Sequence, residues 1–203
     1  MDTDDFKKEI EDLRHLGFDP YPERVRLNIP DARKALEGGL RYYLGDFQWL
    51  PCYDEIAAWL TDNKGRGLLC VGNCGLGKTL ICANILPVII HNRMRKVVKS
   101  YGALDINDRI EEVKHCKLSV IDDIGTEPEA VIYGERHMAF PEIVDNAEKR
   151  GNLLIITTNL RTNTPPGQGA DYPSIQSRYG NRTLDRLKAI TKVVRFDGKS
   201  FRR

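Results

Sequence analysis

Gly72-Asn73-Cys74-Gly75-Leu76-Gly77-Lys78-Thr79 is the stretch on which the reading of this chain turns. It fits the pattern G-x-x-x-x-G-K-S/T, and its surroundings fit too. Gly67-Leu68-Leu69-Cys70-Val71 before it is a short apolar run that reads as a buried strand. Thr79 to Leu86 after it reads as the start of a buried helix. Glycines let such a loop wrap a polyphosphate so that successive backbone N–H groups point at it, and the positive end of the helix adds to the attraction. In that arrangement Lys78 reaches the β- and γ-phosphates and Thr79 places its hydroxyl on Mg²⁺.

Working outward, apolar strand patterns at Gly67–Val71, Val97–Ser100, Leu118–Ile121, Leu153–Thr157 and Val193–Phe196 alternate with helical ones. That alternation predicts an α/β fold, a parallel five-stranded sheet sandwiched by helices. Pro51 opens a helix over Cys52–Asp62 with Tyr53, Ile56, Ala57 and Leu60 on one face. A further helix is expected over Leu104–Lys114. Pro87, inside the helix after the glycine-rich loop, should kink it or interrupt its hydrogen bonding. Residues 1–50 read as a short helical extension: Phe6 to Leu16, then prolines, then Asp31 to Glu37 with Asp31 as N-cap and Gly38-Gly39 as the stop. Residues 51–203 read as the main domain, interrupted by a polar loop from Thr162 to Pro173.

Composition excludes some classes. No apolar run approaches the ~20 residues of a membrane span, and the acidic start Met1-Asp2-Thr3-Asp4-Asp5 is unlike a leader peptide. The five cysteines show no C-x-x-C pair and no zinc spacing with the four histidines, so they read as reduced thiols of a cytoplasmic protein. Between Arg178 and Arg203 nine Lys/Arg face two Asp, a net of +7 that suits phosphates of a nucleotide or a nucleic acid. For most of its lysines a solvated helix face is the favoured reading.

A triphosphate site also needs groups to hold Mg²⁺ and orient water. Leu118-Ser119-Val120-Ile121-Asp122-Asp123 ends a buried strand in two carboxylates. Neighbouring strand residues point to opposite faces, so the two acids are expected to do different jobs: Asp122 for the metal, Asp123 for the water. An Asp-Asp pair is also an ordinary turn signal. Leu153 to Leu160 reads as another buried strand that ends in polar residues, which places Asn159 at the strand end, where ligands of parallel sheets sit. Turn capping is the alternative for that amide.

Together with Val-Ile-Asp-Asp-Ile-Gly-Thr-Glu-Pro (120–128), Ile-Ile-Thr-Thr-Asn-Leu (155–160), Arg-Tyr-Gly-Asn-Arg-Thr-Leu-Asp-Arg-Leu (178–187) and Phe-Asp-Gly-Lys-Ser-Phe-Arg (196–202), the loop resembles the DnaC/IstB-like helicase-loader branch of the AAA+ P-loop ATPases over roughly residues 50 to 203. The resemblance implies ATP and Mg²⁺ as cofactors, Gly72 to Thr79 as Walker A, Asp122-Asp123 as Walker B and Asn159 as sensor 1. It implies Arg186 as an arginine finger with Arg182 as its partner or rival, and Arg202 as the sensor-2 arginine. It also implies little or no C-terminal lid, action in DNA replication of a bacterium, phage or mobile element, a replicative helicase or other DNA-metabolism protein as partner, and a nucleotide-dependent homo-oligomer.

The chain departs from that pattern in places. Asp123 stands where many relatives have Glu. Only about 17 residues separate Ser100 from Leu118, too few for the extra helical insertion that touches single-stranded DNA in the branch, so that partner is weakly indicated. The first 50 residues are expected to pack beside the nucleotide base, lined by Asp31–Glu37 or Tyr42-Tyr43. Competing readings are a transposition-helper ATPase and a nucleotide-gated interaction module with little turnover. A small-molecule kinase is disfavoured by the Thr-Thr-Asn and Tyr-Gly-x-Arg elements.

Overall fold

In a computed structural model the described residues are 1–18, 23–128, 130–132, 135–168 and 172–198, with backbone only for 130–132 and 135–137. The apolar runs become strands β1 (Gly67–Gly72), β2 (Lys99–Gly102), β3 (Leu118–Ile124), β6 (Leu153–Thr158) and β7 (Thr191–Phe196). They form one sheet in the order β2-β3-β6-β1-β7, every neighbouring pair parallel. A short antiparallel hairpin, β4 (Ala130–Ile132) and β5 (Glu135–His137), stands apart.

Period-two alternation sends side chains into two cores. Leu68, Cys70, Val120, Leu153 and Ile155 face one, shared with α2 (Ala32–Leu44), α3 (Pro51–Thr61) and α4 (Leu86–Met94). Leu69, Val71, Ile121, Leu154 and Ile156 face the other, shared with α5 (Ile110–His115), α6 (Ala139–Arg150) and α7 (Ile175–Ile190). The sheet is therefore sandwiched by helices, as the alternation of patterns predicts. The remaining helix, α1 (Thr3–His15), has no buried residue.

Several boundaries differ from the sequence reading, each for a local reason. Helix α2 runs through Gly38-Gly39 because Leu36 and Leu40, on one face, are both fully buried, and packing outweighs the glycines' low propensity. Gly39 also lets this helix approach its neighbour: a Cβ there would lie 2.5 Å from Ile85. Asp31 precedes α2 but makes no side-chain cap; its carboxylate pairs with Arg93 instead. The expected helix Leu104–Lys114 splits into a 3₁₀ turn at Ala103–Asp105 and the six-residue α5. Asn107 makes the break, donating to the carbonyl of Pro128 (2.9 Å) and accepting from the amide of Ala139 (3.2 Å). Strand β2 lies two residues later than expected, and β7 starts two residues earlier.

Pro87 acts as predicted. It sits in the first turn of α4, and the chain before it, Leu80–Ile85, widens into a π-helical segment. Without an N–H at residue 87 the normal bond to the carbonyl four residues back cannot form.

Candidate nucleotide-binding site

Strand β1 ends in the sheet interior, between β6 and β7, so the loop that follows opens at the carboxyl edge of the sheet, where parallel sheets hold ligands. Gly75 (φ 80°) and Gly77 (φ 83°) take left-handed backbone, which a side chain would strain. Lys78 is buried, and its ammonium donates to the carbonyls of Gly72 (2.9 Å) and Asn73 (2.8 Å) and to Oδ1 of Asn159 (2.9 Å). Burial holds its pKa below the ordinary lysine value, against the opposing pull of Cys74 and Asp123.

A run of hydrogen bonds leads from Thr79 through both carboxylates to Lys78. The Thr79 hydroxyl donates to Asp122 Oδ1 (3.0 Å), and Thr157 Oγ1 donates to the same oxygen (2.6 Å). The amide of Asp123 donates to Thr157 Oγ1 (2.8 Å). Asn159 Nδ2 donates to Asp123 Oδ1 (2.9 Å), and Asn159 Oδ1 accepts from Lys78.

Strict alternation would turn Asp123 away from the side on which Asp122 meets Thr79. A register shift between Ile121 and Ile124 prevents it: Asp123 takes φ +63°, and its side chain lines the cleft. Asp122 does not line the cleft and reaches the loop through the Thr79 hydroxyl. Thr157 escaped the sequence reading. Its signal was present, since Thr157 and Asn159 are two apart at a strand end and so share a face.

The cleft has a volume of about 770 Å³. Cys74, Gly75, Gly77, Lys78, Thr79, Asp123 and Asn159 line one side, and Leu40, Leu44, Phe47, Gln48 and Tyr53 the other. The extension therefore does meet the cleft, but not through Asp31–Glu37 or Tyr42-Tyr43. Those do not line it, and Tyr42 is 83% exposed. The helical stagger explains this: Leu40 and Leu44 are one turn apart and both line the cleft, while Tyr42 turns to solvent. Trp49 backs this wall, edge-on to Tyr53 at 5.5 Å, and the Phe47 and Tyr53 ring centroids lie 6.5 Å apart. Burial pushes the Tyr53 phenol up to about 12.

Thr79 and Asp122 offer two hard oxygen donors 3.0 Å apart at the mouth of the loop. No cluster of three or more His, Cys, Asp or Glu that could hold a metal occurs among the described residues. Such a sparse oxygen set fits Mg²⁺, which keeps several waters and takes its remaining ligands from phosphates.

Arg182 and Arg186 are elsewhere. They line a shallow depression between α6 and α7 with Glu142 and Asp145, and neither lines the cleft of its own chain. Arg186 pairs with Asp145 and, through Nε at 3.0 Å, with Glu148. The hydrogen bond from Lys149 and the Arg186 charge hold the Asp145 carboxyl below its usual range. Arg202 lies outside the described residues.

Parallel strands, a glycine-rich loop leading from β1 into a helix, and two acids at the end of β3, one strand removed across β6, make a P-loop-type α/β fold, and the chain is similar in fold to solved structures. The DnaC helicase loader matches with a TM-score of 0.56 at 17% identity over 76% of this chain and 95% of its own. DnaI matches with a TM-score of 0.48 at 17% identity, over 68% of this chain and 73% of its own. AMPPCP-bound DnaA from Aquifex aeolicus matches with a TM-score of 0.49 at 17% identity, over 77% and 50%. At these identities the likeness is one of fold. No family model matches the sequence, and no curated protein does. Among the described residues no helix is long and apolar enough to cross a membrane.

Proposed function

We propose that the chain binds ATP with Mg²⁺ and hydrolyses the β–γ bond, as a cytoplasmic helicase-loader-type ATPase in DNA replication of a bacterium, phage or mobile element. The observation that carries this reading is the run of five hydrogen bonds Lys78–Asn159–Asp123–Thr157–Asp122–Thr79, which brings both carboxylates and the strand-end amide to the lysine and threonine of one loop. In the proposed mechanism the loop amides and Lys78 hold the β- and γ-phosphates, and Thr79 and Asp122 hold the metal. Bound Mg²⁺ would neutralise charge on the phosphates. Asp123, steadied by Asn159, orients a water and takes its proton as the water oxygen bonds to the γ-phosphorus and the bond to the β-phosphate oxygen breaks. Catalysis is by positioning and charge stabilisation, with no covalent intermediate.

Residues 51–203 serve as the ATPase domain, and residues 1–50 as the extension whose second helix walls the cleft. Arg186, with Arg182 beside it, acts on the nucleotide of a neighbouring copy, and Arg202 on the nucleotide of its own. A replicative helicase or another DNA-metabolism protein is the partner. Direct contact with single-stranded DNA is not required by this reading.

A second reading is a nucleotide-gated module with little turnover. The engagement of Arg186 by Asp145 and Glu148 within one chain favours it, because a finger must leave those partners to act in trans. Steady-state hydrolysis against protein concentration, with and without single-stranded DNA, decides between them. A rate per subunit that climbs with concentration and collapses in Arg186→Ala supports the trans-acting motor. Intact ATP binding with flat, negligible turnover supports the module.

A further inference from the structure

Glu127 lies four residues past Asp123 and is 1% exposed. Both of its carboxylate oxygens are engaged. Oε2 accepts from the amide of Gly125 (2.8 Å), and Oε1 accepts from the Tyr179 hydroxyl and lies 3.6 Å from Arg178 Nε. Arg178 also donates to the Glu127 carbonyl. Tyr179 is itself buried against Phe140, ring centroids 4.9 Å apart.

The turn between the two acids is tight. The amide and hydroxyl of Thr126 both donate to the Asp123 carbonyl (3.3 and 2.8 Å). Gly125 has φ +106°, and a Cβ there would lie 2.7 Å from Leu160. The left-handed backbone of Asp123 persists only while its surroundings hold it. Glu127 braces that turn from below, and a buried carboxylate is tolerated there because all its partners are in place.

The brace is anchored on α7, in the turn before a break. Gly180 (φ 82°, ψ 165°) interrupts that helix just after Arg178 and Tyr179, and the part beyond it carries Arg182 and Arg186. The helix segment that presents the arginines is thus joined through one residue to the pair that grips Glu127.

We propose that Glu127 is a positioning residue: through Gly125 and the Asp123 turn it sets the water-orienting carboxylate, and through Tyr179 and Arg178 it makes that setting respond when a second copy of this chain engages the arginine face of α7. The inference rests on the ATPase reading, and its test separates the two.

Tyr179→Phe removes the hydroxyl that donates to Glu127 and keeps the ring on Phe140. Expected are a fall in kcat of about 10-fold, KM and ATP affinity within twofold of wild type, and a rate per subunit that no longer rises with protein concentration. Glu127→Gln, which keeps an oxygen for Gly125, should show the same split with a smaller loss. Hydrogen exchange over residues 118–128, read on the same samples, should quicken about 10-fold at Asp123 and Gly125 in Tyr179→Phe. Unchanged exchange there, or a loss of kcat matched by an equal loss of ATP affinity, overturns the proposal. If wild type binds ATP without turnover while exchange responds as expected, the hydrolysis reading fails and the brace stands.

Discussion

The two walls of the nucleotide cleft are built on opposite principles. One is a single short run, Cys74 to Thr79, with Asp123 and Asn159 at strand ends beside it. The other is assembled from α2, the segment after it and α3, through Leu40, Leu44, Phe47, Gln48 and Tyr53. Phosphate recognition needs backbone N–H groups, a lysine and a hydroxyl at fixed spacing, so it leaves a strict pattern in the chain. An apolar wall needs only area, and any amphipathic helix can supply that. On the proposed function the phosphates lie on the first wall and the base on the second, so each should be separately breakable.

The largest effect belongs to the chemistry on the phosphate side. Asp123→Asn keeps size and a side chain that tolerates positive φ, so the turn should survive. Turnover should fall by about 10²–10⁴, the usual contribution of a general base, with ATP affinity little changed; single-turnover kinetics beside calorimetric binding would separate the two. Next is Lys78→Ala. It should weaken ATP and ADP alike by about 100-fold, which is about 2.7 kcal/mol, in a direct titration. A loss confined to ATP would show that the lysine reads only the γ-phosphate.

The opposite wall should give the smaller and more selective loss. Phe47 is half-buried, so Phe47→Ala should leave the fold intact while weakening ATP by about 10-fold and flattening preference for ATP over GTP. Equal loss for triphosphate alone (tripolyphosphate as probe) would break the division between walls. Leu40→Ala cannot serve as that probe, since Leu40 is fully buried in the core and its truncation should cost about 2–5 kcal/mol of stability.

This division also explains what the sequence disclosed. The sheet was legible because its strands are buried on both faces and read as continuous apolar runs, as in Leu153 to Thr158. The loop was legible from its own spacing, whereas Asp122, Asp123 and Asn159 stood out as polar strand ends whose alternative was turn chemistry, and the fold is what brings them to Lys78 and Thr79. The bulge at Asp123 was not, because it depends on pairing with β6 rather than on residues 118–124 themselves. Nor was the continuation of α2 past Gly38-Gly39, where burial of Leu36 and Leu40 overrides a local stop signal. Glu127 and Tyr179 lie 52 residues apart, and only the fold joins them.

The mildest prediction probes the phosphate wall without mutating it. Cys74 is an exposed free thiol inside the loop, whereas Cys70 and Cys82 lie fully buried beneath it with their sulfurs 3.5 Å apart. Burial, and then the neighbouring Cys82, pushes the Cys70 thiol well above its ordinary value, and burial raises Cys52 to about 11. Since the thiolate is the nucleophile, those buried groups should be inert and Cys74 should alkylate first. ATP lying along the loop should slow that reaction several-fold, while adenosine, which fills only the apolar wall, should slow it little. Mass-spectrometric mapping of the first modified peptide reads both rates. Equal protection by adenosine would mean that the two walls close together on any ligand, so that the base side, though built from a different part of the chain, controls access to the phosphate side.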